Sequence, residues 1–135
     1  MPVDTSLVGR EFPAPAPLVV TGQRVSSFAA AVGQPDDGAV PPTFPILLAF
    51  DAMQAFLDAE QVDLFRIVHG EQRFTYARPL REGDELSATL TVTGLRQIGG
   101  ADIIATASEI RDAAGELVCT GKATLVHSPD PGAAA

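Results

Sequence analysis

The sequence predicts one α+β domain, an antiparallel sheet of about five strands covering a single long buried helix. Three observations lead there. Ile46 to Glu60 (ILLAFDAMQAFLDAE) is apolar nearly all round, broken only by Asp51, Gln54 and Asp58 on one narrow stripe, the pattern of a largely buried helix. Downstream of it the apolar period changes from 3.6 to 2, most strictly over Leu86 to Thr93. The chain has 135 residues, enough to bury a core without disulfide or metal staples but not enough for two domains.

Each element follows from local chemistry. Pro13, Pro15 and Pro17 alternate, and Pro35, Pro41, Pro42 and Pro45 crowd one segment, so the front third is loops and short elements. Within it, Leu18 to Thr21 reads as a short strand. Arg24 to Val32 places Val25, Phe28, Ala29 and Val32 at i, i+3, i+4 and i+7 and ends at Gly33, which fits one short helix with a glycine just past its end. The long helix starts at Thr43-Phe44-Pro45, where a proline near the first helical position loses no bond and Thr43 or a backbone group can cap.

The strands come next. Phe65 to Tyr76 is β-rich and closes at Pro79 and Gly83-Asp84. Leu86, Ala88, Leu90 and Val92 alternate with hydroxyl residues, as in a half-buried antiparallel strand. Ile103 to Arg111 is a weaker version, and Leu117 to Leu125 places residues 117, 119, 121, 123 and 125 on the inward face. Gly99-Gly100 and Asp112 to Gly115 supply the hairpin turns. The expected unit is residues 1–127, with a flexible tail over 128–135. Pairing of two such sheets edge to edge would cover unpaired strand edges, so a dimer is expected.

Composition excludes several function classes. Nine Lys plus Arg against 17 Asp plus Glu give a net charge of −8 with no basic cluster, which opposes nucleic acid. Cys119 is the only cysteine and His69 and His127 are far apart, so neither a disulfide nor a zinc site is expected, and no cofactor is called for. The N-terminus has no signal-peptide character and the longest apolar run, Ile46 to Phe50, is too short for a bilayer, so a cytoplasmic protein without a membrane partner is expected.

Val68-His-Gly-Glu-Gln-Arg-Phe-Thr-Tyr-Ala-Arg-Pro79, then Leu80-Arg-Glu-Gly-Asp-Glu-Leu86, together with Pro41-Pro-Thr-Phe44 before the long helix, resemble the hotdog fold. More narrowly they resemble the N-terminal-type, FAS1-like domain of the MaoC-like dehydratases, over about Val8 to Leu125. That domain occurs as the non-catalytic subunit of (R)-3-hydroxyacyl thioester dehydratases or as the first half of a double-hotdog chain. The resemblance implies an acyl-CoA or acyl-carrier-protein thioester as substrate, and a homodimer or a heterodimer with a catalytic MaoC-like subunit.

Hydratase members carry an Asp and a His in the loop between the helices, after Gly-Asp and Asn-Pro. Here the run is Gly33-Gln34-Pro35-Asp36-Asp37-Gly38-Ala39, with Gln34 where the Asp belongs and Ala39 where the His belongs. Hydration of a 2,3-enoyl thioester needs a base, an acid and donors for the enolate oxygen. The resemblance therefore implies a chain inactive alone that contributes the acyl pocket, with Phe44 able to offer a backbone N–H at the start of the long helix.

The candidate site residues follow. Thr43, Phe44, His69, Gly70 and Gln72 are the expected substrate-binding set. His69 is the candidate acid or base, against an ordinary strand histidine bonded to backbone or to a dimer partner; His127 lies at the end of the last strand. Asp36 and Asp37 could replace the lost Asp, although turn chemistry is the simpler account of Pro-Asp-Asp-Gly. Asp51 resembles the helix carboxylate of hotdog thioesterases, provided that it is buried with a raised pKa. A non-catalytic, ligand-binding homodimer is the remaining alternative. Cys119, alternating with Leu117 and Gly121, reads as a small inward hydrophobe.

Overall fold

The computed structural model describes residues 5–35 and 39–128. The strands are β1 (Glu11–Pro13), β2 (Leu18–Val19), β3 (Ile67–Tyr76), β4 (Glu85–Ile98), β5 (Ala101–Arg111) and β6 (Leu117–His127), and the helices are α1 (Gly22–Val32) and α2 (Ile46–Ala59). The six strands form one antiparallel sheet in the order β1-β4-β5-β6-β3, with β2 also pairing β4.

The helix α2 lies on the sheet because its composition leaves it no other place. Leu48, Ala49, Ala52, Met53, Phe56 and Leu57 are buried, while Asp51 and Asp58 of the polar stripe are exposed. Phe56 stacks at a tilt on Phe12 of β1, with ring centroids 5.0 Å apart. Leu86, Ala88, Leu90 and Val92 of β4, Ile104 and Ile110 of β5 and Leu125 of β6 complete the core beneath it. Each large side chain removed from water here contributes about 1.5–3 kcal/mol.

The helix ends were partly legible. Thr21 caps α1 by accepting the Arg24 N–H at 3.1 Å, so the helix begins two residues before the expected Arg24. Gly33 closes it in the left-handed conformation, φ 72, as expected. Thr43 does not cap α2; Pro45 stands at the cap with no side-chain bond.

Two strand bulges decide which side chains face the helix. β4 slips register between Val92 and Gly94, so its inward face passes from even to odd residues and Gln97 comes to lie opposite Asp102. β3 slips between His69 and Glu71, around Gly70, which puts His69 opposite Leu125 and Gln72 opposite Ala123. A third irregularity corrects the expected alternation of β6: Arg111 pairs with Leu117 while Ile110 pairs with Cys119, so Val118 is buried and Leu117 is exposed.

The turn Arg78 to Asp84 is held by charge. Arg78 donates to both oxygens of Asp84, at 2.9 and 3.1 Å, and reaches Asp112 in the β5–β6 hairpin at 3.4 Å. Asp84 also accepts the Arg81 N–H at 2.8 Å. The Arg78 guanidinium holds the Asp84 carboxyl below its ordinary range. Asp112 is likewise lowered, first by the Glu116 N–H and also by Arg78.

Candidate functional site

The start of α2 and the inner face of β3 make a cleft of about 670 Å³, lined in part by Phe28, Gln34, Thr43, Ile46, His69 and Gln72. Ile46, His69 and Gln72 also line a second space, a slot of about 10 Å³ between α2 and the sheet. These three residues are the neck between the outer cleft and the inner slot. Ala49 and Met53 from the helix and Leu90, Ala123 and Leu125 from the sheet surround the slot.

The β3 bulge builds the neck. In a regular strand, residues 69 and 72 would point to opposite faces; the extra residue at Gly70 puts both on the helix side. His69 Nε2 then lies 2.9 Å from Gln72 Oε1, with the ring N–H donating to the amide oxygen. Gly121 sits behind them: a Cβ there would lie 3.2 Å from Gln72 Nε2 and 3.1 Å from Phe74 Cε1, so a side chain at this position would press on the amide and the ring.

Of the expected site residues, Thr43, His69, Gly70 and Gln72 come together around the cleft. Phe44 does not. Its ring is fully buried, edge-on to Phe28 with centroids 5.5 Å apart, and its N–H donates to Pro41 O at 2.9 Å. The amides of Ile46, Leu47 and Leu48 are likewise taken by carbonyls three residues earlier, so the tight turn over Pro41 to Pro45 consumes the donor expected for an enolate oxygen. Asp51 is exposed on the outer side of α2, which removes the buried base that a thioesterase reading needs. Asp36 and Asp37 lie outside the described residues, while Ala39 is exposed.

The sequence reading missed a buried Asp/His pair. His127 Nδ1 lies 2.8 Å from Asp102 Oδ2, with the two residues 5% and 1% exposed, and Gln97 Nε2 donates to Asp102 Oδ1 at 3.0 Å. Such a pair within the chain is what the resemblance implied to be absent. It does not line the cleft or the slot. Its place is the hairpin end of the sheet, where His127 also faces Ile67 at the start of β3. The signal available was the alternation itself: extending the inward face of β6 by two residues reaches His127.

Cys119 is buried, and burial pushes its thiol up to about 11, so it is neither nucleophile nor ligand at neutral pH. Burial, with Cys119 beside it, also pushes Tyr76 up to about 12; its hydroxyl donates to Pro42 O and ties β3 to the segment before α2. Among the described residues no cluster of His, Cys, Asp and Glu could hold a metal. No helix among them is long and apolar enough to cross a membrane.

A long helix laid on one antiparallel sheet, with a slot between them, defines a hotdog protein, here of the hydratase and dehydratase type. The family model of the FAS1-like dehydratase domain region matches residues 36–121, and the chain belongs to that family. It is 41% identical over 147 residues to a UPF0336 protein of Clavibacter michiganensis, covering 96% of this chain and 99% of that one. It is 37% identical over 140 residues to a UPF0336 protein of Cutibacterium acnes, covering 98% and 99%.

Among solved structures it is similar to the C-terminally truncated HadBC (3R-hydroxyacyl-ACP dehydratase) complex of Mycobacterium tuberculosis, with a TM-score of 0.75 and 27% identity over 89% of this chain and 96% of that one. The MaoC-like dehydratase of Rhodospirillum rubrum shares the fold, with a TM-score of 0.69 and 20% identity over 92% and 94%.

Proposed function

We propose that the chain is the acyl-binding subunit of an (R)-3-hydroxyacyl thioester dehydratase or enoyl thioester hydratase, inactive alone, with a catalytic MaoC-like partner supplying the Asp and His. One observation carries this reading: a neck of Ile46, His69 and Gln72 leads from an open cleft to an apolar slot; the resemblance adds that Gln34 and Ala39 stand where the family carries its proton-transfer pair. The sealed Asp102–His127 pair does not replace that pair, because a thioester in the cleft cannot touch it.

In this reading the thioester, carried on CoA or a carrier protein, lies in the outer cleft, and Thr43, His69, Gly70 and Gln72 position it. The acyl chain enters the slot after Met53, an adaptable side chain, rotates aside. The partner adds its sheet to β3, whose outer edge is unpaired among the described strands. The similarity to HadBC, a complex of two different subunits, favours a heterodimer over a homodimer. The catalytic unit is then residues 1–127 plus its partner, working in the cytoplasm.

The test is co-expression with a MaoC-like chain carrying the Gly-Asp, Asn-Pro and His signature. The expected result is a 1:1 complex that hydrates crotonyl-CoA, and no turnover by this chain alone. Turnover by the lone chain, abolished by His127→Asn with the fold intact, overturns the reading.

A further inference from the structure

The slot under α2 is apolar on its helix wall, but its sheet floor is not. Thr106 and Ser108 of β5 line it, each 4% exposed. Thr106 Oγ1 reaches Ala123 O at 3.4 Å, a long bond. The Ser108 hydroxyl makes no side-chain hydrogen bond among the described residues, although its backbone pairs in the sheet. No fully sealed side-chain N or O atom among those residues lacks a partner, so the Ser108 hydroxyl opens onto the slot.

The neck points a second donor at the same place. Gln72 gives its oxygen to His69, which leaves its NH₂ group turned toward Gly121, and Gly121 is the cross-strand partner of Ser108. The hydroxyl and the amide both line a space of about 10 Å³, about the least that holds a single water or one ligand oxygen. A wholly hydrocarbon chain passing here would strip both groups of water and return nothing, a loss that selects strongly among ligands. A chain with an oxygen at that depth would satisfy them.

We propose that Ser108 and Thr106 select acyl thioesters bearing a second oxygen, carbonyl or hydroxyl, in the part of the chain that passes the neck, over fully reduced chains of equal length. The inference rests on the acyl-pocket reading above, which keeps the reacting carbons in the cleft and sends the remainder of the chain past the neck. Such substrates come from a carbon–carbon condensation that extends an acyl chain whose earlier oxygen has not been removed.

The test uses the full chain and its co-expressed complex, with pantetheine thioesters of hexanoic, 5-methylhexanoic and 5-oxohexanoic acid as probes in calorimetry. The 5-oxo thioester is expected to bind about tenfold tighter than the two without the oxygen. Ser108→Ala and Thr106→Val are expected to erase that advantage while leaving hexanoyl binding within about twofold.

Equal binding of all three thioesters overturns the selection and leaves the acyl pocket standing. An advantage that survives in both variants overturns the assignment to Ser108 and Thr106. Binding of none of them, by chain or complex, overturns the acyl pocket and this inference together. Should Ser108→Ala fold poorly, the wild-type preference and Thr106→Val still decide.

Discussion

Two polar rows cross the helix-facing side of the sheet, and they are built to opposite rules. At the hairpin end, Gln97, Asp102 and His127 are linked side chain to side chain, with Asp102 and His127 shut away from water. Beneath the start of α2, His69, Gln72, Thr106 and Ser108 surround a gap; His69 bonds Gln72, and Thr106 reaches only the Ala123 carbonyl. The first row is closed and holds register; the second is open and has donors to spare. Polar residues under a helix therefore do not by themselves mark a site: what distinguishes the two rows is whether their hydrogen bonds are already made.

The sharpest way to break the closed row is His127→Leu, which strands a buried carboxylate. It is expected to cost about 3–5 kcal/mol in urea unfolding. The double change Asp102→Leu with His127→Leu is expected to recover most of that, because an apolar pair of similar volume needs no partner. A double variant as unstable as the single one would assign the loss to packing around His127 rather than to the Asp102 carboxylate.

The open row yields to Gly121→Val. Its Cβ would press on Gln72 Nε2 and Phe74, so acyl-thioester binding is expected to be lost and stability to fall by about 1–3 kcal/mol. Retained binding in calorimetry would show that the ligand does not pass the neck.

Next in size is the charge clasp that supports the open end. Asp84 and Asp112 have lowered pKa values in the fold, so their stabilisation is present above the ordinary carboxylate value, about pH 4. It is lost as pH falls through the folded values. Arg78→Met is expected to destabilise the fold more at pH 7 than at a pH low enough to protonate both carboxylates, as read by urea unfolding at the two pH values. A cost that is equal at both pH values would assign the effect to packing of the arginine stem.

His69→Asn should leave stability within about 0.5 kcal/mol, because the side chain is exposed, yet lower kcat/KM of the complete complex about tenfold. Unchanged turnover would make His69 an ordinary strand residue. The smallest effect concerns Cys119: with the thiol pushed up to about 11 and fully buried, it should not react with iodoacetamide at pH 7.5 unless the protein unfolds, as read by mass.

The elements with long periodic stretches were readable from sequence. Helix α2 runs Ile46–Ala59 against the expected Ile46 to Glu60, and Leu86, Ala88, Leu90 and Val92 are all buried as their alternation requires. The short strand β1 was not readable, because three residues ending in Pro13 carry no period. The bulges were hidden for the opposite reason: each shifts a good alternation by one residue, and only Gly70 and Gly94 hint at where.

The site was legible in part. The His-Gly-Glu-Gln run pointed to His69 and Gln72, but their meeting depends on the bulge between them. Asp102 and His127, 25 positions apart and each at a strand terminus, meet only through the β5–β6 register. The availability of the Phe44 N–H was a matter of turn geometry that residue identities do not encode.

The two margins of the sheet are unequal. On one side β4 carries only the three residues of β1 and the two of β2, with Pro13, Pro15 and Pro17 breaking the run between them. On the other, β3 offers ten residues in a row. Under the two-subunit reading proposed above, a margin long enough for pairing on one side alone would stop assembly at a pair, with nothing left to seed a fibre.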